Sequence, residues 1–270
     1  MKNIIIENLR NRGIENIVVK SVFKNSVEVE GLTLAHDSNG IAPIIYLNDI
    51  KKMIEDCGFE AVIDNLEEIF KNKRVPQFNL DMLSDKDEFL KHLFIGVQRN
   101  SEQIDLIKSP CEELEGDAEL YLYLRGENDA EEGFYTCKIN KELLKLIDCN
   151  EDEAWSFAIE NTCKDARITS MSEMLFGVEM DDDNLYVLTN RSGLCGASSL
   201  IHRELLSEFA ASKGTSHLII IPSSVDEVLL IPGNSCRMNE DELASMIRHD
   251  NVDAVEPHKV LGERAYTLWV

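Results

Sequence analysis

The sequence predicts an α+β protein, and three observations support this. Apolar residues make up 44% of the 270, with two Trp, six Tyr and ten Phe, enough for a sizeable core and not the composition of a disordered chain. The order strand–strand–helix–helix occurs twice in the first two thirds. The last third reads β-α-β-β-α-β, the ferredoxin-like pattern. The expected divisions are an N-terminal α+β region over 1–110, a middle ββαα region over 111–178 and a ferredoxin-like unit over 179–270.

Met1–Arg12 places Ile4, Ile5 and Leu9 on one helical side and stops at Gly13. Ile14–Phe23 and Ser26–Ala35 form a hairpin, the second arm alternating through Val27 and Val29 and later Leu32 and Leu34. IAPIIYLND is a short extended piece. Helices over Asp49–Cys57 and Phe59–Asn72 are split at Gly58, the second with Val62, Leu66, Ile69 and Phe70 on one face. A third helix opens with Ser84 as N-cap and turns Phe89, Leu90 and Leu93 inward.

In the middle region, Leu120–Leu124 and Phe134–Ile139 are strands, and Lys141–Ile147 and Glu151–Cys163 are helices. Asn150 and Glu153 have capping-box spacing. In the last third, strand Leu185–Asn190 leads to helix Ser199–Lys213, then to strands Leu218–Ile221 and Val228–Ile231 around the turn PSSVDE. Helix Glu240–His249 is capped by Asn239 with Glu242, and Ala265–Val270 is the final strand. LIII and VLLI do not alternate, which predicts buried central strands. Ile201, Leu205, Leu206 and Phe209 should cover one face of their sheet, with Met246 and Ile247 coming from the last helix.

Charge narrows the function. Fifty acidic against 27 basic residues give −23, which opposes contact with nucleic-acid phosphates or an anionic membrane. The acidity either keeps the protein soluble or engages a basic surface on a protein partner, up to mimicry of nucleic acid by an inhibitor. Acid gathers at Glu127–Glu132 and Glu179–Asp183. No apolar run approaches the roughly 20 residues of a membrane span. The start MKNIIIENLRNRG lacks the form of a signal peptide, so the expected location is the cytoplasm. Seven cysteines without a CxxC pair read as reduced thiols.

The chemistry-bearing motifs are few. Gly193-Leu-Cys195-Gly196-Ala197 follows a strand and nearly fits a nucleophile elbow, with Asp226 and then His249 or His258 in the order of a Cys-dependent hydrolase. The preceding chain lacks the alternating strands and helices on which that elbow is built, so the bland reading has the glycines forming a tight loop and Cys195 packing. The stretch lacks both phosphate-loop glycine patterns; an anion at the following helix start would depend on Arg191. Asp181–Asn184 has calcium-loop acidity without its glycine or closing glutamate, and the six histidines lack zinc spacing, so no metal or cofactor is expected. Tyr121 and Tyr123 share a strand face, which fits sheet packing better than base stacking.

A right-handed βαβ connection makes its two strands parallel and sets their C-terminal ends at one sheet edge. The loop Asn190–Ala197 should therefore neighbour the turn Pro222–Glu227. Asn190, Arg191, Ser223, Ser224, Asp226 and Glu227 would form one polar rim, the candidate binding site.

VEVEGLTLAHDSNGIAPIIYLND, AWSFAIENT, LYVLTNRSGLCGASSL, LIIIPSSVDEVLLIP and VEPHKVLGERAYTL together resemble an uncharacterised bacterial family, the domain of unknown function numbered fifty-six eighty-eight. The resemblance covers nearly the whole chain in order. It implies anaerobic gut-type bacteria and their mobile elements as the setting, and implies no activity. In that family the place of Cys195 need not be cysteine, and the turn often reads Pro-Ser-Ser-x-His-Glu where this chain has Asp226. Both departures weigh against a Cys–His reading. The resulting expectation is a non-enzymatic, protein-binding or regulatory factor, with the inhibitor and the Cys195 hydrolase as alternatives.

Overall fold

The computed structural model describes residues 1–35, 44–71, 83, 85–128, 133–178, 180 and 184–270. The chain divides into two compact units, Met1–Phe78 and Asn79–Val270. The sequence-based divisions at 110/111 and 178/179 both fall inside the second unit.

The first unit contains α1 (Lys2–Asn11), β1 (Ile17–Lys24), β2 (Val27–Leu34), β3 (Ile45–Tyr46), α2 (Leu47–Cys57) and α3 (Phe59–Lys71). β1 and β2 pair antiparallel through a turn in which Asn25 and Ser26 both have positive φ, 47° and 63°, the backbone twist a two-residue hairpin favours. β3 adds to β2. Ile5 and Leu9 from α1 meet Leu32, Ile50, Ile63 and Leu66 in one apolar cluster, so the three helices cover one sheet face. Arg12 fastens α1 to α3 through Glu60, Asp64 and Glu67, contacts on the surface and individually weak.

The second unit opens with α4 (Lys86–Lys91), capped by Asp85, whose carboxylate accepts from Asp87 and Glu88 N–H. The expected cap, Ser84, lies outside the described residues. Leu93 is not on a helix; it begins β4 (Leu93–Arg99), whose first six residues are all buried. A strand buried on both faces shows no alternation, which is why the sequence pattern did not reveal it. β5 (Lys108–Pro110), β6 (Ala118–Asn128) and β7 (Gly133–Lys138) complete a four-stranded antiparallel sheet around β6. α5 (Lys141–Leu146) and α6 (Glu151–Asp165) follow, capped by Asn140 and Asn150 as their first side-chain acceptors.

β8 (Ala166–Ser170), α7 (Met171–Phe176) and β9 (Tyr186–Asn190) come next. The expected single helix over Ser199–Lys213 is two pieces, a 3-10 turn over Gly196–Ile201 and α8 (Arg203–Ser212). They part at His202, whose ring nitrogen caps α8 by accepting from Leu205 N–H. β10 (His217–Ile221), β11 (Val228–Pro232), α9 (Glu240–Asp253) and β12 (Tyr266–Trp269) close the chain. The Asn239/Glu242 capping box at α9 is formed in both directions.

The β-α-β-β-α-β order is therefore present, but the sheet order is β12-β10-β11-β9-β8. A ferredoxin-like sheet sets its last strand beside its first, here β9. β9 has both edges occupied, by β11 and by β8, so β12 takes the free edge of β10. The unexpected strand β8 thus changes the sheet. β9 and β10 are both antiparallel to β11 and point the same way, as expected. Leu206 is buried with Leu205 and Phe209 packed against it, and the same cluster includes Val97, Leu114 and Ala118 beside Leu188, Leu218 and Leu230. The two sheets of this unit therefore share a core. Ile247 and Met246 pack with Ile221 and Ile231 in a second cluster.

Candidate functional site

The common direction of β9 and β10 brings the two expected loops together. Cys195 N–H donates to Asp226 Oδ1 at 2.9 Å, Ala197 N–H to Val225 O at 3.3 Å, and Thr189 Oγ1 to Asp226 O at 2.8 Å. Asp226 Oδ2 is held by Lys259 Nζ at 3.0 Å. Gly196 is required at this crossing, because a Cβ there would stand 2.3 Å from Thr189 Oγ1 and 2.5 Å from Asp226 O.

The rim residues divide into two groups. Asn190 is spent on its own loop: its amide nitrogen donates to Leu194 O, and its amide oxygen accepts from Ser192 Oγ and Gly193 N–H. Ser224 Oγ accepts from Asp226 N–H, the backbone-mimicking turn that serine forms readily. Arg191 projects outward with 79% of its side chain exposed. Ser223 and Glu227 are half-buried. Burial raises the Glu227 carboxyl above the usual glutamate range, Asp226 adds to that, and Lys259 opposes it. Ser223 and Glu227 are thus the rim groups left to face a ligand, with Arg191, which reaches Asp165 only at 4.0 Å, beside them.

Three alternate residues of β6 clamp the Cys195 loop from the other sheet. Tyr121 Oη lies 3.6 Å from Cys195 Sγ, and Tyr123 Oη donates to Leu194 O at 3.5 Å. Arg125 stacks 3.9 Å over Phe94 and donates to Asp165 Oδ2 at 2.6 Å and to Ser192 Oγ at 3.1 Å. The Tyr-x-Tyr-x-Arg alternation was the visible signal for these contacts; Asp165 and Lys259 carried none.

Cys195 has the left-handed backbone, φ 53°, of a tight strand-to-helix turn. Its sulfur packs against Phe94, Tyr121 and Tyr123. Burial pushes its thiol up, and the Tyr121 contact, Lys138 and Arg125 only partly offset this. Burial likewise raises Tyr121. The acid in the hydrolase order, Asp226, is committed to Cys195 N–H and to Lys259. His249 lies 3.5 Å from Asp253, and His258 3.6 Å from Glu256. The thiol therefore faces a phenol, and it stays protonated where a nucleophilic cysteine needs its thiolate. All seven cysteines are free thiols.

Among the described residues, no group of three or more His, Cys, Asp or Glu is placed to hold a metal ion. Nor is any described helix long and apolar enough to cross a membrane. Residues 129–132, 179 and 181–183, which hold most of both acidic clusters and the acidic part of the calcium-like stretch, lie outside the described residues.

These features define an acidic α+β protein with two antiparallel sheets in its larger unit and a tyrosine-clamped loop at their meeting. The chain belongs to the Family of unknown function (DUF5688), whose model matches residues 2–268. It is the family that the five quoted stretches resemble. Comparisons with curated proteins and with solved structures find no match.

Proposed function

We propose that the chain acts in the cytoplasm as a non-enzymatic binding or regulatory factor whose partner is a protein with a basic surface. The observation that carries this reading is the segment around α7. Met174, Leu175, Phe176, Val178 and Met180 are exposed by 51, 66, 67, 62 and 51%. Soluble proteins rarely leave so many large apolar groups together in water unless the surface is used. The charge of −23 selects a basic counterpart, because complementary fields speed encounter and exclude acidic competitors. The rim of Asn190, Arg191, Ser223, Ser224 and Glu227 is the second contact in this reading, Asn190 and Ser224 holding its frame. The protonated thiol of Cys195 supports a structural role for that residue.

The test is capture from a host lysate on the immobilised chain, washed at low and then high salt. A basic protein retained at low salt, released at high salt, and lost with Leu175→Ser/Phe176→Ser is the expected result. Capture that is indifferent to both salt and the double substitution overturns the proposal. Arg191→Glu reports separately on the rim.

A further inference from the structure

A groove of about 390 Å³ opens where α6 passes the sheet built on β6. Leu120, Trp155, Ile159 and Ile201 form much of its wall. Trp155 and Ile159 are four residues apart on α6 and so share a helix face. Ile159 is 46% exposed although it sits in a concave apolar surface. The volume is that of a small-molecule site.

The polar side of the groove is one-signed. Glu112 and Glu113 line it, and among the described residues no cationic side chain does. Glu113 is already paired with Arg203, at 3.0 Å. Glu112 is exposed, and its side chain makes no hydrogen bond or ion pair among the described residues. An indole, an aliphatic wall and an unbalanced carboxylate together favour one ligand chemistry: an apolar body bearing a single positive charge. The carboxylate attracts a cation through its charge, and the indole with the aliphatic wall takes the apolar body. A neutral analogue loses that charge attraction, and an anion is repelled.

We propose that this groove binds an amphiphilic organic amine, with the apolar body against Trp155, Ile159 and Ile201 and the ammonium at Glu112. This proposal stands apart from the protein-partner reading, whose carrying surface is at α7.

The probe is 4-phenylbutylamine, with 4-phenylbutanol and 4-phenylbutyrate as neutral and anionic counterparts. The chain has two tryptophans, so Trp269→Phe leaves Trp155 as the sole indole reporter. Trp269 is 67% exposed, which makes the replacement mild. The amine should change Trp155 emission saturably, the alcohol should bind about fivefold more weakly, and the acid should not bind, as expected for one partly exposed charge contact. Glu112→Gln should weaken the amine about fivefold, to the level of the alcohol. Ile159→Lys should abolish binding by filling the groove with a like charge. Equal affinity for amine and alcohol, amine binding that survives Ile159→Lys, or no saturable change overturns the proposal. Calorimetry of the unaltered chain with the three compounds applies the same criteria without any substitution.

Discussion

Gly196→Ala tests the crossing that builds the candidate site. The added Cβ would stand 2.3 Å from Thr189 Oγ1, 2.5 Å from Asp226 O and 2.9 Å from Asn190 N. Two of these atoms are backbone and cannot swing away. Overpacking of this kind costs about 1–3 kcal/mol. Displacing the Thr189–Asp226 hydrogen bond adds about 1 kcal/mol. Replacing a flexible glycine returns about 0.5–1 kcal/mol through the unfolded chain. The net loss is about 1–3.5 kcal/mol, or about 2–14 °C in the melting temperature of a unit this size. Gly193→Ala is the control. Its φ is +69° with nothing within 4 Å of a Cβ, so it should cost only the dihedral strain, about 1 kcal/mol. Thermal melting by circular dichroism, following the transition of the Asn79–Val270 unit, reads both variants. If Gly196→Ala melts within about 1 °C of the parent, or loses less than Gly193→Ala, the close approach of the two loops is not what fixes the site.

Other predictions address charge and reactivity. Arg125→Leu leaves Asp165, whose side chain is only 12% exposed, with just the 4.0 Å contact to Arg191; a loss of about 3 kcal/mol in urea unfolding is expected, and a loss under 1 kcal/mol would contradict the clamp. Glu227 has its folded pKa raised by burial, so its favourable contribution is complete below the ordinary value of 4.5 and is lost as pH rises through the folded value. Glu227→Gln should therefore flatten that fall in stability above pH 4.5, and an unchanged pH profile would count against it. Cys195 should be among the last thiols alkylated by iodoacetamide at neutral pH, well after exposed Cys57, as read by mass spectrometry. Equal rates would restore Cys195 as a candidate nucleophile.

Local signals carried most of the helices and strands. The capping box at Asn239, Gly58 between α2 and α3, and the alternation in β2 are encoded within a few residues, so they could be read from the sequence. β4, β5, α7 and β8 could not. β4 is buried on both faces and has no period, while β8 is a five-residue strand whose identity depends on pairing with β9. The 3-10 turn before α8 depends on the close crossing at Gly196, which is a tertiary contact.

For the site, the sequence placed Asn190–Ala197 beside Pro222–Glu227 because the direction of a βαβ unit is nearly invariant. It did not show which rim groups would be consumed in building the loops. Asn190 and Ser224 turn inward because their short polar side chains satisfy nearby backbone groups. Composition, family membership and the order of most elements were thus determined by the sequence itself. The tertiary structure alone decided that Cys195 meets Tyr121, that Asp226 is held by Lys259, and that β12 takes the edge of β10. Each of these depends on groups far apart in the chain, whose meeting is set by sheet order, and no local pattern encodes that order.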